Sequence, residues 1–263
     1  MKRETQDRKP QVRQMLDKVG VTNLKTLVET RWEGRTYKFV PKIQLTIDLP
    51  ESRKGAHLSR LVEAITEAIE EGSCETHGSL EALGKNILSK LGSRHKFNSG
   101  EVVIETDLIV FTKTPVSGRR TAESHEIKVK VRYERGKFRK TLAVKVLGNS
   151  ACPHSIETAG IPHIQRAIGF LEVETFLDNR IDLEDMINVV EESFSSRVYT
   201  LLKSEDEAAV VKRMFSNPKF AEDICRDIIH NARKFRKCKV NAKVVSEESI
   251  HRHDVMAEAS AEY

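Results

Sequence analysis

With 263 residues, 39% apolar and 32% charged, the chain can bury a sizeable core, as one large domain or two modest ones, and its composition is that of a soluble globular protein. The longest apolar runs fall far short of a bilayer span, the N-terminus MKRETQDRKPQVRQ lacks the apolar stretch of a secretory signal, and Cys74, Cys152, Cys225 and Cys238 show no CxxC pairing, which argues against a membrane protein and a disulfide-stapled secreted domain and makes the cytoplasm the expected compartment. The net charge of +5, from 44 basic and 39 acidic residues, is too slight to imply a nucleic-acid partner by itself.

Met1 to Lys38 is polar, and VRQMLDKVGVTNLKTLV within it predicts a short amphipathic helix interrupted at Gly20. Phe39 to Leu49 alternates as a strand, with Ile43, Leu45 and Ile47 on one face, and Pro50 ends it. ESRKGAHLSR then leads into a helix whose apolar residues Leu58, Leu61, Val62, Ile65 and Ile69 recur at helical spacing. Its start carries Ser52, Arg53, Lys54, His57, Ser59 and Arg60. Dipole logic prefers acids there, so cations at a helix start either solvate the cap or call for an anion such as phosphate. After a break at Glu71 to Gly78, a second helix is read over Leu80 to Leu91, followed by strands over Glu101 to Lys113 and Glu126 to Tyr133.

Near Gly136 the pattern begins again. Strands are read at Lys140 to Leu147 and Ala167 to Phe176, helices at Leu183 to Phe194 and from Ser204 to Phe235 with a break at Asn217 and Pro218, and a last strand at Lys239 to Val245. The expected fold class is α+β, built as an internal structural duplication of antiparallel sheets with paired helices on one face. The expected parts are an N-terminal extension (1–37), a first half (38–135) and a second half with a histidine-containing tail (136–263). Half-sheets of this kind have open edges, so a homo-oligomer with sites at subunit boundaries is expected.

The stretch that concentrates chemistry is GNSACPHSIETAGIPHIQR, from Gly148 to Arg166. Pro153 fixes φ and removes a donor where the strand stops, so the Cys152 thiol is displayed there. His154 and His163 follow, and a loop folding back would bring sulfur and ring nitrogen onto one divalent metal; the alternative is a cysteine acting as a small buried hydrophobe. Glu205, Asp206 and Glu207 open a helix, where acids also serve the dipole. Glu222 lies on a later helix, and His251 and His253, two residues apart on an extended segment, point to one side. Basic residues crowd Lys113 to Lys145, with Tyr133 and Phe138 as the aromatics available for stacking on bases, few for a single-strand RNA platform.

In order, DLPESRKGAHLSR, ACPHS, PHIQR, VYTLLKSEDE with NPKFAEDICRD, and ESIHRHD resemble the type IB GTP cyclohydrolases of the tunnelling-fold superfamily, over nearly the whole chain from Val21 onward. The resemblance implies tandem tunnelling-fold (T-fold) repeats assembling into an oligomeric barrel, a homotetramer, and a metal-dependent enzyme using GTP and water, with no nucleic acid and no membrane. It implies hydrolysis of the guanine imidazole ring at C8, release of formate and closure to a 7,8-dihydroneopterin. Cys152, His163, Glu207 and His251 are the implied metal ligands, with Glu205 an alternative to Glu207 and His253 an alternative to His251. Catalysis falls to Cys152 and His163, with His253 in proton transfer. Glu222 is the implied guanine anchor, and Ser52, Arg53, Lys54, His57 and Arg60 the implied triphosphate contacts. At CPHS the chain departs from the usual bacterial pattern, where a second cysteine commonly follows the proline. It is therefore closer to the archaeal branch, whose similar enzymes make a 2',3'-cyclic phosphate for methanopterin or folate-type pterins and prefer Fe(II), with Mn(II) or Zn(II) substituting. Two alternatives remain: a deazaguanine nitrile reductase of the same superfamily, with the cysteine as nucleophile, and a non-catalytic nucleic-acid-binding protein.

Overall fold

A computed structural model of the chain describes residues 4–32, 35–72 and 80–263, so Cys74 and most of the break read at Glu71 to Gly78 lie outside the described residues. In chain order a 3-10 turn at Thr5–Asp7 precedes β1 (Leu16–Lys25), β2 (Val28–Trp32), β3 (Arg35–Phe39), β4 (Lys42–Leu49), α1 (Leu58–Gly72) and α2 (Leu80–Arg94). Three long strands follow, β5 (Ser99–Lys113), β6 (Arg120–Glu134) and β7 (Lys137–Ala151), then α3 (Pro153–Ala159), β8 (Ile164–Phe176), α4 (Leu183–Ser193) and β9 (Ser196–Arg197). The chain continues through α5 (Ser204–Ser216), α6 (Ala221–Asn231), β10 (Cys238–Ser246) and β11 (Val255–Glu262). Two compact units result, Met1–Thr106 with Lys128–Thr141, and Asp107–Ile127 with Leu142–Tyr263, so β5, β6 and β7 each give residues to both.

In the first unit the strand order is β1-β4-β5-β6-β7, beside a separate β2-β3 ribbon. β1 pairs antiparallel with β4, and β4 with β5. Leu61 and Ile65 of α1 and Ile87 and Leu91 of α2 are buried together with Ile43, Leu45 and Ile104 of the sheet. The helix predicted around Gly20 is instead strand β1. The reason is local: Gly20 pairs with Thr46, and a Cβ there would collide with the Leu45 carbonyl, so the glycine that reads as a helix break is the residue that lets the two backbones close. Near Gly136 there is a tight turn rather than a new beginning. Arg135 (φ 48°) and Gly136 (φ 89°) join β6 to β7 in the doubly left-handed form that suits a two-residue hairpin.

That hairpin bears directly on the expected fold class. The tandem tunnelling-fold repeats closing into an oligomeric barrel are corrected to a mostly antiparallel sheet with six α-helices among the described residues. The apparent restart of the sequence pattern is a two-residue turn between strands of 15 residues each, far longer than the periodicity alone suggested.

In the second unit the order is β5-β6-β7-β8-β10-β11, with β9 paired to Gly148 and Asn149 of β7. β10 is antiparallel to β8 from Cys238↔Thr175 to Ser246↔Ala167, and antiparallel to β11. α4 starts where the Asp182 carboxylate accepts from the Glu184 and Asp185 N–H groups, and it buries Leu183, Met186, Ile187 and Val190. α6 buries Ala221, Ile224, Cys225 and Ile228 on its apolar face. A smaller cluster of Ala151, Val210 and Met214, with Ile164, Tyr199 and Leu202 packed against it, fixes the end of β7 and the start of β8 against α5. Two members of that cluster, Ala151 and Ile164, are the chain neighbours of Cys152 and His163. Among the described residues no helix is long and apolar enough to cross a membrane.

Candidate active site

β7 ends at buried Ala151, whose N–H donates to Ser195 Oγ at 3.1 Å and whose carbonyl accepts the Lys219 N–H at 2.9 Å. The next residue, Cys152, caps α3: its Sγ accepts the Ser155 N–H at 3.4 Å, and Pro153 stands in the first turn, where a missing donor costs nothing. Gly160 closes the short helix with φ 75°. The chain then doubles back, so that the Cys152 N–H donates to the His163 carbonyl at 3.1 Å. Ser155 staples the same turn, donating from Oγ to Ile161 C=O at 2.7 Å and accepting the His163 N–H at 3.3 Å. The segment read as a loop is thus a capped helical turn that ties the thiol residue to the imidazole residue, with both side chains half-exposed. His154, by contrast, is exposed on α3.

The His163 ring is held from one side. Its Nδ1 lies 2.7 Å from Gln165 Oε1 and 3.1 Å from Ser249 Oγ. Gln165 Nε2 donates to Glu248 Oε1 at 2.8 Å and to Ser246 Oγ at 3.2 Å. His251 and His253 follow in the connection between β10 and β11, both exposed, with their rings stacked 5.2 Å apart at an interplanar angle of 5°.

The three acids opening α5 have different surroundings. Asp206 is fully buried and accepts from Ser117 Oγ at 2.6 Å and from the N–H groups of Val116 (2.9 Å), Ser117 (2.8 Å) and Lys203. Burial alone would raise its pKa, but these four hydrogen bonds favour the anion and hold the carboxyl well below the usual carboxylate range. Glu205 and Glu207 are exposed. Glu222, in the first turn of α6, is exposed as well. Among the described residues, the one group of three or more His, Cys, Asp and Glu side chains with ligand atoms within 4.8 Å of one another is Glu4, Asp7 and His57. Cys152, His163, Glu207 and His251 are therefore not gathered to that closeness within a single chain.

In the first unit, the Ser52–Arg60 cluster meets the N-terminal 3-10 turn. The Lys54 N–H donates to the carbonyls of Gln6 (3.0 Å) and Arg8 (2.8 Å), and the Gly55 N–H to Gln6 (3.2 Å). His57, 5% exposed, has Glu4 at 2.8 Å from Nδ1 and Asp7 at 3.3 Å from Nε2, and Arg60 stands 3.9 Å from Glu4. The hydrogen bond to His57, helped by the charges of Arg53 and Arg60, holds the Asp7 carboxyl below its ordinary value. The His95 ring lies edge-on to His57 at 5.9 Å; burial, then the nearby Arg53 and His57 charges, push its pKa down. Ser52 and Lys54 are exposed, and Arg53 and Arg60 are part-buried.

A buried polar group in the second unit has no counterpart in the sequence reading. Glu123 accepts from the Thr200 N–H (3.0 Å), Thr200 Oγ1 (2.7 Å) and Thr121 Oγ1 (2.9 Å). Glu191 pairs with Arg197 at 2.9 Å; burial raises the Glu191 pKa and lowers that of neighbouring His125. The signal was available in strand parity, because Thr121, Glu123 and His125 share the buried face with Ile127 and Val129.

Residues 3–257 match the family described as "Type I GTP cyclohydrolase folE2". The chain belongs to the type I GTP cyclohydrolase family. Similar members include GTP cyclohydrolase MptA of Pyrococcus furiosus, 48% identical across 98% of this chain and 99% of that protein. The enzyme of the same name from Thermococcus kodakarensis is 48% identical over 97% of this chain and 98% of its own. GTP cyclohydrolase MptA 1 of Methanocella arvoryzae is 34% identical over 99% and 93%. Among solved structures the chain resembles uricase from Arthrobacter globiformis, with a TM-score of 0.54 at 9% identity over 94% of this chain and 93% of that one. Uricase from Bacillus fastidious gives 0.52 at 9% identity, covering 94% of each. At such identity the likeness concerns the fold alone. It places this family member's sheet with that of the uricases and completes the correction of the tandem-repeat barrel.

Proposed function

We propose that this chain is a metal-dependent GTP cyclohydrolase of the IB type, which opens the guanine imidazole ring at C8 and releases formate. The product is a 7,8-dihydroneopterin, as the 2',3'-cyclic phosphate or the triphosphate, for methanopterin or folate-type pterin synthesis. The observation that carries this reading is the turn in which the Cys152 N–H meets the His163 carbonyl, because it holds a thiol and an imidazole half-exposed at one place on the surface. Sulfur and nitrogen donors together suit Fe(II), Mn(II) or Zn(II), so this pair fits a divalent cation. Cys152, His163, Glu207 and His251 would hold it, with Glu205 and His253 as the alternative third and fourth donors. When bound, the cation supplies Lewis acidity that makes water a competent nucleophile near neutral pH.

The remaining work falls to the chain's own residues. Glu222 offers two acceptor oxygens to the guanine N1–H and 2-amino group, an edge that presents adjacent donors. His253 carries protons to and from the ring nitrogens as the C8–N bonds open, a role in which an imidazole both accepts and donates. Ser52, Arg53, Lys54, His57 and Arg60 bind the triphosphate, in competition with the Glu4 and Asp7 carboxylates that His57 already meets. Since a single chain leaves the four ligands apart, a homotetramer with sites at subunit interfaces is part of this proposal. The test is anaerobic incubation of metal-stripped protein with GTP and Fe(II), Mn(II) or Zn(II), reading formate and, after oxidation, pterin fluorescence. Metal-dependent formate that disappears in Cys152→Ala supports the reading; no formate with any of the three metals rejects it.

A further inference from the structure

We propose that Gln165 is the positioning residue for His163, fixing the tautomer that presents Nε2 outward, and that it is itself oriented by Glu248. The inference deepens the metal-site reading and rests on it. Gln165 is the second residue of β8 and His163 the residue just before that strand, and their side chains meet, His163 Nδ1 lying 2.7 Å from Gln165 Oε1. Gln165 is only 8% exposed, and an amide so buried must satisfy both its oxygen and its nitrogen within the protein.

The orientation of that amide follows from its partners. A carboxylate accepts and does not donate, so the group facing Glu248 Oε1 at 2.8 Å is the amide nitrogen. Ser246 Oγ, at 3.2 Å, accepts from the same nitrogen. The amide oxygen is thereby turned to His163 Nδ1 at 2.7 Å, and only an N–H on Nδ1 satisfies a carbonyl there. Ser249 Oγ stands 3.1 Å from Nδ1 and 3.4 Å from Gln165 Oε1, donating to that oxygen and accepting from the ring. The proton is pinned on Nδ1, and the Nε2 lone pair is what a cation meets, as is usual where an imidazole ligand donates its other nitrogen to an oxygen. Ser246, Glu248 and Ser249 lie at the end of β10 and in the connection that carries His251 and His253. The relay therefore links His163 to the segment bearing the other two histidines of the proposed site.

The test uses the full chain, stripped of metal. In wild type, the 15N shifts of the His163 ring, assigned by comparison with His163→Ala, are expected to report the Nδ1–H tautomer. Gln165→Leu keeps the volume and removes the oxygen; it is expected to shift the ring to a tautomer mixture and to weaken Zn(II) binding about 10–100-fold. Glu248→Ala, at a part-exposed position, is expected to do the same to a smaller extent and decides the matter if Gln165→Leu does not fold. A folded Gln165→Leu, or failing that Glu248→Ala, that retains the Nδ1–H tautomer and binds Zn(II) within about twofold of wild type overturns the proposal. If His163→Ala and Cys152→Ala bind Zn(II) as wild type does, the metal reading fails, while the tautomer measurement on metal-free protein still judges Gln165 separately.

Discussion

The turn at Cys152–His163 and the basic start of α1 are both polar clusters on which the proposed chemistry depends, yet they spend their hydrogen bonds in opposite ways. At the turn, backbone groups and the amide of Gln165 order the two side chains, the Cys152 sulfur accepting one backbone N–H from Ser155 and His163 engaging Gln165 through Nδ1, with no charged partner on either among the described residues. At α1, the functional groups themselves are engaged: both ring nitrogens of His57 meet carboxylates, and Arg60 approaches one of them. The first arrangement is that of a site organised before its ligand arrives; the second holds internal anions where the proposal puts external ones. A preorganised site loses function when its donors are removed, whereas an occupied one gains affinity when its internal competitors are removed.

Four expectations break or sharpen that contrast. Cys152→Ala should reduce formate release to background while circular dichroism and oligomer size stay unchanged, because no neighbouring group replaces the sulfur. His253→Ala should lower kcat by roughly 10²–10⁴-fold with KM for GTP little changed, the range expected for loss of a proton-transfer group. At α1, Arg53→Ala should raise KM about tenfold, the order of one charge-assisted hydrogen bond, whereas Glu4→Gln with Asp7→Asn should lower KM. Steady-state kinetics at fixed salt checks both signs, and a double acid variant with raised KM would show that these carboxylates support the site instead of competing for it.

The smallest effect concerns pH and stability. His95 and His125 have folded-state pKa values below the ordinary 6.5, each mainly through burial. The unfolded chain therefore binds more protons as pH falls through 6.5, and stability present above that value is lost below it. Asp206, depressed by its hydrogen bonds, contributes stability that is complete above the ordinary carboxylate value of 3.8 and is lost only at lower pH. Thermal melts from pH 7.5 to 5 should show Tm falling by a few degrees in wild type and falling less in His125→Gln, with Asp206→Asn leaving this slope unaltered.

The sequence made some of these features readable and hid others for definite reasons. β10 alternates Val240, Ala242 and Val244 with Lys239, Asn241 and Lys243, β8 alternates from Leu171 to Glu174, and Asn217 and Pro218 mark the break between α5 and α6, because these are local properties. The helix expected around Gly20 failed because what decides β1 is the approach of Leu45, which is remote in sequence. Asp206 looks like Glu205 and Glu207 until Val116 and Ser117, about ninety positions away, donate to it. Likewise, nothing local marks Glu4 and Asp7 as partners of His57. Gln165 stands two positions from His163, but its role depends on Ser246, Glu248 and Ser249, more than eighty positions away, which orient its amide and the ring.

The measurement that bears most directly on the central claim is a titration of metal-stripped protein with Co(II), reading the near-ultraviolet thiolate-to-cobalt charge-transfer band. The account expects one cobalt per chain, a band that is absent in Cys152→Ala, and a weaker, altered spectrum in His163→Ala. A band that persists without Cys152, or cobalt bound with no thiolate signature in the wild-type protein, would contradict it.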